Sequence, residues 1–511
     1  MKKLFTLRLM LVSLLAAMSM AINAEHIKYT PEDDDFWYYL DTETKTASLS
    51  SYRGSAIDVA IPETVTYDGI VYIINRLGTG CFGYKRSITS ITIPLSVKSC
   101  GQFCFEYCSS LKEIEIPSSV TILEDNCFIG CSSLTSINIP ISVTSLGASC
   151  FSGCSSLTSI SIPSSVTNIG GYCFNKCSSL TSVDISSSVT TLGVCCFRDC
   201  SSLTSVTIPS SVTSLRPSCF NGCSSLTSIT IPESVTSLGE RCFYGCSSLT
   251  SVDISSSVTS LGIGCFYGCS ALTSVTIPSS VTSFGTMCFG ICSSLTSIII
   301  PESVTSLGDE CFYGCSSLTS VTIPSSVTSM GRCCFDGCSS LESINISSSL
   351  TSVSENCFYN CKSLKSVVIP ESVTILESDC FRLCSSLESI VISSSVTSLG
   401  TYCFCGCDSL KTVTSYIPEA IYASSLFQNT PIDQATLYVP EASLDVYKTT
   451  APWSGFGTIL PITATGIENT PAAKSSTIDT IYDLDGKRSN GANRGMNIIR
   501  MTDGTTRKVM K

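Results

Sequence analysis

The 511-residue chain has 33 cysteines, one histidine and a formal net charge of -11. A single imidazole, His26, removes the central group from Ser-His-Asp, Cys-His and His-ligated zinc constellations. The acidic balance argues against nucleic acid and membrane surfaces as partners, since little basic charge is left to neutralise phosphate or anionic lipid.

Residues 1–24 read as a signal peptide: Lys2 and Lys3, an apolar run from Leu9 to Ala17, then a polar stretch ending at Ala24. The apolar run is too short to span a bilayer, so no transmembrane segment is expected in the mature chain. Loss of Lys2, Lys3 and Arg8 with this leader makes the remainder three units more negative. Residues 25–80 lie outside the repeat described next. Their strand-forming stretches "FWYYLD" and "ETVTYDGIVYII", the second split by Asp68-Gly69, predict a β-hairpin cap over the first open end of the array.

From Cys81 to Cys403 a Cys-Phe pair recurs at every 23rd residue, fifteen times. A period this strict predicts a stacked repeat solenoid over residues 81–413. Counting the opening Cys as position 1, apolar residues fall at positions 1, 2, 8, 11, 13, 17 and 20, as in Cys311, Phe312, Leu318, Val321, Ile323, Val327 and Met330. The segment "LTSVTI" alternates toward its end and predicts a short strand, closed by Pro324. Gly314 and Gly331 are expected at turns needing positive φ, although Tyr107, Lys176 and Leu383 take the first of these places in other copies. Six or seven buried side chains at about 1.5–3 kcal/mol each cannot offset the backbone entropy of one copy at about 1–2 kcal/mol per residue, so a copy folds only against its neighbours.

Fifteen cysteines open the copies, fourteen follow four residues later (Cys108 to Cys407), and Cys100, Cys195, Cys333 and Cys405 complete the set. They belong to the repeat rather than to pairs. Stacked equivalents at about 4.8 Å are within disulfide range, but side chains in one column point the same way, so buried thiols are the preferred reading and disulfide ladders the other. Serine replaces the strand-closing proline at Ser186, Ser255, Ser347 and Ser393, a pattern best read as copying of one variant.

The unit "CFYGCSSLTSVTIPSSVTSMG" resembles the BspA-like (Treponema pallidum-type) leucine-rich repeats of surface proteins. The resemblance implies a leucine-rich repeat solenoid with short parallel β-strands on its concave face, a face on which such proteins hold protein partners. Two departures are Cys in front of Phe, where the family usually has Ala, and Ser326 after the strand, which implies that no Asn ladder forms. "TLYVPEASLDVYKTTAPWSGFGTILPI" resembles the closing segment of these proteins and predicts a C-terminal cap over 414–462, followed by a linker over 463–478. Residues 479–511, with "IYDLDGKR" and "GMNII", resemble the C-terminal sorting tail of Bacteroidales secreted proteins, in a short form. A small β-hairpin without a targeting role is the alternative for that segment.

No Walker-type phosphate loop is present, and the Cys-x-x-x-Cys spacing recurs as a repeat element rather than as a metal site, so neither cofactor nor metal is expected. Asp309-Glu310 and Asp33-Asp34-Asp35 read as solvated surface. What remains is the outward side of the strand, mostly Thr and Ser, with position 12 the most varied: Glu115, Asn138, Asp184, Asp253 and Asn345 are the candidate partner-binding residues. Positions 22–23, such as Glu240-Arg241 and Arg332-Cys333, form a second variable pair expected on a loop edge. Fourteen strand-to-strand steps at about 4.8 Å give a face of roughly 65–70 Å. The sequence thus predicts an exported, non-enzymatic, adhesin-like scaffold binding host extracellular matrix or epithelial surface proteins or other bacteria. A passive structural envelope component is the alternative.

Overall fold

The structure, a computed structural model, describes residues 26–462 and four strands between 478 and 510. The leader over 1–24 and nearly all of the linker over 463–478 lie outside the described residues. Within 81–413, each copy is one turn of a parallel solenoid with the 23-residue step preserved in the pairing, as in Ser297↔Ser320 and Ser320↔Ser343.

Two parallel ladders run along the array. The first is the one legible in "LTSVTI": segments such as Ser159–Ile162 and Ser182–Ile185 pair with their inward residues buried and their outward residues exposed. The second consists of two-residue strands at positions 19–20, for example Ser145–Leu146 and Asn168–Ile169. A two-residue strand is too short to show any alternation, and the sequence reading did not include it. The remaining side of each turn has neither strand nor helix. Its backbone bonds to the following copy instead, through Arg241 N–H to Ile263 C=O, Phe243 N–H to Cys265 C=O and Gly245 N–H to Tyr267 C=O at 2.7 to 2.8 Å.

These turn bonds alternate along the chain because positions 23 and 4 take the left-handed region, as at Cys333 (φ 53°) and Gly314 (φ 67°). Gly331 differs from its expected role. It is not among the positive-φ residues; a Cβ there would collide with the backbone nitrogen of Asp309 in the preceding turn. Close approach of neighbouring backbones, not handedness, selects glycine at position 21.

The interior is a set of columns. Phenylalanine rings from Phe82 to Phe427 stack with centroid spacings of 4.9 to 5.7 Å, and all are buried. Each ring fills the gap that a single copy would leave open. Both ends of the column are stopped by aromatic side chains from outside the regular repeat. At the start, Tyr52 lies 5.5 Å and Phe36 6.4 Å from Phe82. At the end, Trp453 and Phe456 meet Phe427 edge-on at 5.4 and 5.2 Å.

The N-terminal strands β1 (His26–Tyr29), β2 (Phe36–Asp41) and β3 (Thr46–Tyr52) form an antiparallel meander. A short strand β4 (Asp58–Ala60) starts the first ladder by pairing with Ser90–Thr92. Strands β5 (Thr64–Tyr67) and β6 (Ile70–Leu77) form the hairpin turning at Asp68-Gly69, and β6 starts the second ladder by pairing with Ser99–Cys100. The cap therefore templates both ladders.

At the other end the repeat geometry continues past Val413. Leu426 and Phe427 occupy the Cys-Phe places, and Thr436–Val439 extends the first ladder with one extra residue in the step, Thr412 pairing with Thr436. The helix α1 (Leu444–Thr449) delivers Tyr447, whose hydroxyl bonds Ser415 and the Ile417 carbonyl, and Trp453 donates its indole N–H to the Ile421 carbonyl at 2.8 Å. In the C-terminal segment, Ile478–Tyr482, Arg488–Ser489, Met496–Met501 and Thr506–Met510 form a four-stranded antiparallel sheet.

Candidate functional site

All 33 cysteines are free thiols, and only Cys333 is not fully buried. The second cysteine of each copy donates Sγ–H to the phenylalanine carbonyl of the preceding copy, as Cys246 does to Phe220 at 3.2 Å. In the last, irregular turn Thr430 makes the same bond to Phe404 at 2.7 Å with a hydroxyl. Burial pushes the Cys108 and Cys246 thiols up to about 12, so these sulfurs stay protonated and unreactive at neutral pH. The cysteine columns are part of the buried interior.

The hydroxyl surface is partly internal as well. At position 16, Ser234 and Ser303 donate to valine carbonyls of the preceding copy at 2.7 and 2.6 Å. The equivalent Ser96, Ser326 and Ser372 hydroxyls are buried without a hydrogen-bond partner among the described residues. Where serine replaces the strand-closing proline, Ser255 and Ser347 reach those valine carbonyls at 3.4 and 3.1 Å. Threonines at position 9 do likewise one step outward, Thr181 to the Thr158 carbonyl at 3.0 Å.

Among the described residues, position 12 of the first ladder makes no such side-chain bond to a backbone carbonyl of the preceding copy. Glu115, Asn138, Asp184, Asp253 and Asn345 are all exposed there. The ladder places Glu115 beside Asn138, while the other three stand two, three and four turns further apart in sequence. They share a column but do not converge on one point. Asp184 accepts a hydrogen bond from Ser161 at 3.3 Å.

Toward the C-terminal half the same column also carries aliphatic side chains, Ile299, Val368 and Val391, between its polar ones. Ile299 is 83% exposed, and Val368 is also exposed. Beside Ile299, a shallow hollow of about 460 Å³ is walled by Pro301, Glu302, Thr322 and Pro324. Ile299 and Val368 occupy position 12 in the sequence, where an aliphatic residue on an outward place is the signal that marks them. Farther along, position 9 replaces threonine by alternating charges, Lys365 meeting Glu342 at 3.1 Å and Lys411 meeting Glu388 at 2.9 Å. Glu233, at the edge of the strand face, accepts from the Ser256 and Ser257 hydroxyls, which hold its carboxyl below the usual range.

The variable pair at positions 22–23 lies on the turn edge, where Asp309, Glu310, Arg332, Cys333 and Glu355 surround a hollow of about 200 Å³. Burial and the neighbouring Glu310 raise Asp336 to about 6. Among the described residues no group of three or more His, Cys, Asp and Glu is arranged to hold a metal ion, and no helix is long and apolar enough to cross a membrane.

Comparison with known proteins agrees with this architecture. The BspA type leucine rich repeat region matches in six copies over residues 75–204, 190–319 and 305–433. A leucine-rich repeat protein from Bacteroides ovatus is 33% identical, with 76% of this chain and 94% of that chain covered at a TM-score of 0.64. A leucine rich cell surface protein from Faecalibacterium prausnitzii is 28% identical over 76% of this chain and 94% of that one, with a TM-score of 0.44. The T. pallidum leucine rich repeat protein is 28% identical over 43% of this chain and 91% of that one, with a TM-score of 0.32. No curated protein matches the sequence. With the repeat matched over more than half its length, the chain belongs to the BspA-type leucine-rich repeat family.

Proposed function

We propose that this protein is an exported, non-catalytic scaffold that holds macromolecular partners on its outward strand column: host extracellular matrix or epithelial surface proteins, or other bacteria. One observation carries this reading. On an array whose interior hardly changes, position 12 is the most chemically diverse of the outward strand places, running from Glu115 through Asp184 to the exposed Ile299 and Val368. Interfaces need such local differences, because a uniform hydroxyl surface gives a partner no register. The family and the leader read over residues 1–24 support placement at the cell surface. The test is adherence of the full chain to epithelial cells, matrix proteins and partner bacteria against a composition-matched repeat control. Binding above the control is expected; equal binding by the control contradicts the reading.

A passive envelope component is the second reading, favoured by the hydroxyl ladders that bond internally from copy to copy. Self-assembly of the full chain with no heterologous binding would favour it.

A further inference from the structure

We propose that the turn edge of the first five copies is a second binding site, for an acidic polysaccharide. A groove of about 430 Å³ runs there, its walls including Arg86, Tyr107, Ser132, Ser152, Asn175 and Lys176. Its floor is open because Gly130 and Gly153 succeed one another at position 4 in left-handed geometry (φ 73° and 76°), where other residues are strained. The Tyr107 ring lies over Gly130 and stacks on Tyr84 at 5.3 Å, and the two rings are 41% and 57% exposed.

The charges give the groove its sign. Arg86 and Lys176 are exposed and have no ion pair among the described residues, in a chain whose net charge is -11. No carboxylate lines the groove. The acids close by are engaged elsewhere: Glu106 accepts from the Tyr84 hydroxyl at 3.1 Å, and Asp199 is paired with Arg198 at 3.5 Å. Asn175 gives one N–H to Ser152 at 3.1 Å and keeps a second N–H and its carbonyl oxygen for a ligand. The overall acidity argues against a polyanion covering the whole surface, but here two cations face a neutral polar trough.

Arg86 and Lys176 stand four turns apart, about 19 Å along the array. One phosphate or carboxylate cannot reach both, whereas a polymer with repeated acid groups can. A peptide is disfavoured because the groove offers no strand edge. Gly130 N–H and Gly153 N–H are already bonded to the carbonyls of Ser152 and Asn175 at 2.7 Å. A sugar chain needs what the groove does offer: ring surface for its C–H faces, hydroxyl and amide groups for its hydroxyls, and spaced cations for its carboxylates.

The test titrates the full chain with polygalacturonate, neutral dextran and polyglutamate by calorimetry. Polygalacturonate is expected to bind and to weaken with added salt, while dextran and polyglutamate bind at least tenfold more weakly. The double substitution R86A/K176A is expected to weaken polygalacturonate about tenfold without changing the melting temperature. Ile129→Glu, at a position that carries Glu106 and Asp336 in other copies, should weaken it similarly by adding a negative charge to the wall. Absent binding, equal binding of dextran or polyglutamate, or unchanged affinity in both variants would overturn the proposal.

Discussion

Along the ring column the same side chain recurs from Phe82 to Phe427 at nearly constant spacing, whereas along position 12 the side chain changes from acid to amide to hydroxyl to aliphatic. Both columns belong to the same turns and share the same step. The difference is that every interior residue must satisfy two neighbours, above and below, while an outward residue at position 12 faces solvent. Repetition is therefore imposed on the inside and only inherited on the outside. That contrast predicts large stability effects and no specific binding effects from the interior, and the reverse from position 12.

The largest effect is expected from Phe243→Ala, which opens a cavity in the middle of the ring stack. It should cost about 3–5 kcal/mol, read as a fall in the urea midpoint. A change below about 1 kcal/mol would mean that the column is not continuous packing. Next come the two glycines of one copy. Gly331→Ala is expected to cost about 1–3 kcal/mol because the backbone of the preceding turn has to move away from the new methyl group. Gly314→Ala should cost about 1–2 kcal/mol, the penalty of a left-handed non-glycine residue. At position 5, Cys246→Ala strands the Phe220 carbonyl and should cost about 1–3 kcal/mol. Cys246→Thr supplies the donor that Thr430 already provides for Phe404, and should cost less than the alanine change.

Asp336 sharpens the comparison with a pH dependence. Its folded carboxyl is raised to about 6 by burial and Glu310, so the folded chain binds a proton that the unfolded chain has lost. Its contribution to stability is greatest below the unfolded value and falls as pH rises from about 4 to about 6. Asp336→Asn should flatten that slope in melting temperature against pH and leave the variant the more stable at neutral pH.

Much of this was legible in the sequence because a strict period is itself structural information. The Cys-Phe spacing located the interior, and the alternation in "LTSVTI" located the first ladder. The second ladder escaped because two-residue strands have no period. The irregular last turn escaped because Leu426 and Thr430 replace both cysteines and one extra residue shifts the pairing to Thr436. The role of Gly331 could not be read from one copy, since it depends on the backbone of the copy before it. At the candidate surface, the exposure of Glu115, Asn138, Asp184, Asp253 and Asn345 followed from alternation, but only Glu115 and Asn138 are neighbours. The groove beside Tyr107 arises from side chains missing on consecutive turns, which no single motif displays.

The most direct measurement of the central claim replaces Glu115, Asn138, Asp184, Asp253, Ile299, Asn345 and Val368 by threonine in the full chain, leaving Ser161 and the half-buried Val391 as the only other residue types in a threonine column. These sites are exposed, so each change should move stability by less than about 0.5 kcal/mol. The account predicts an unchanged melting temperature and loss of adherence to epithelial cells, matrix proteins or partner bacteria. Full adherence by this variant would contradict it.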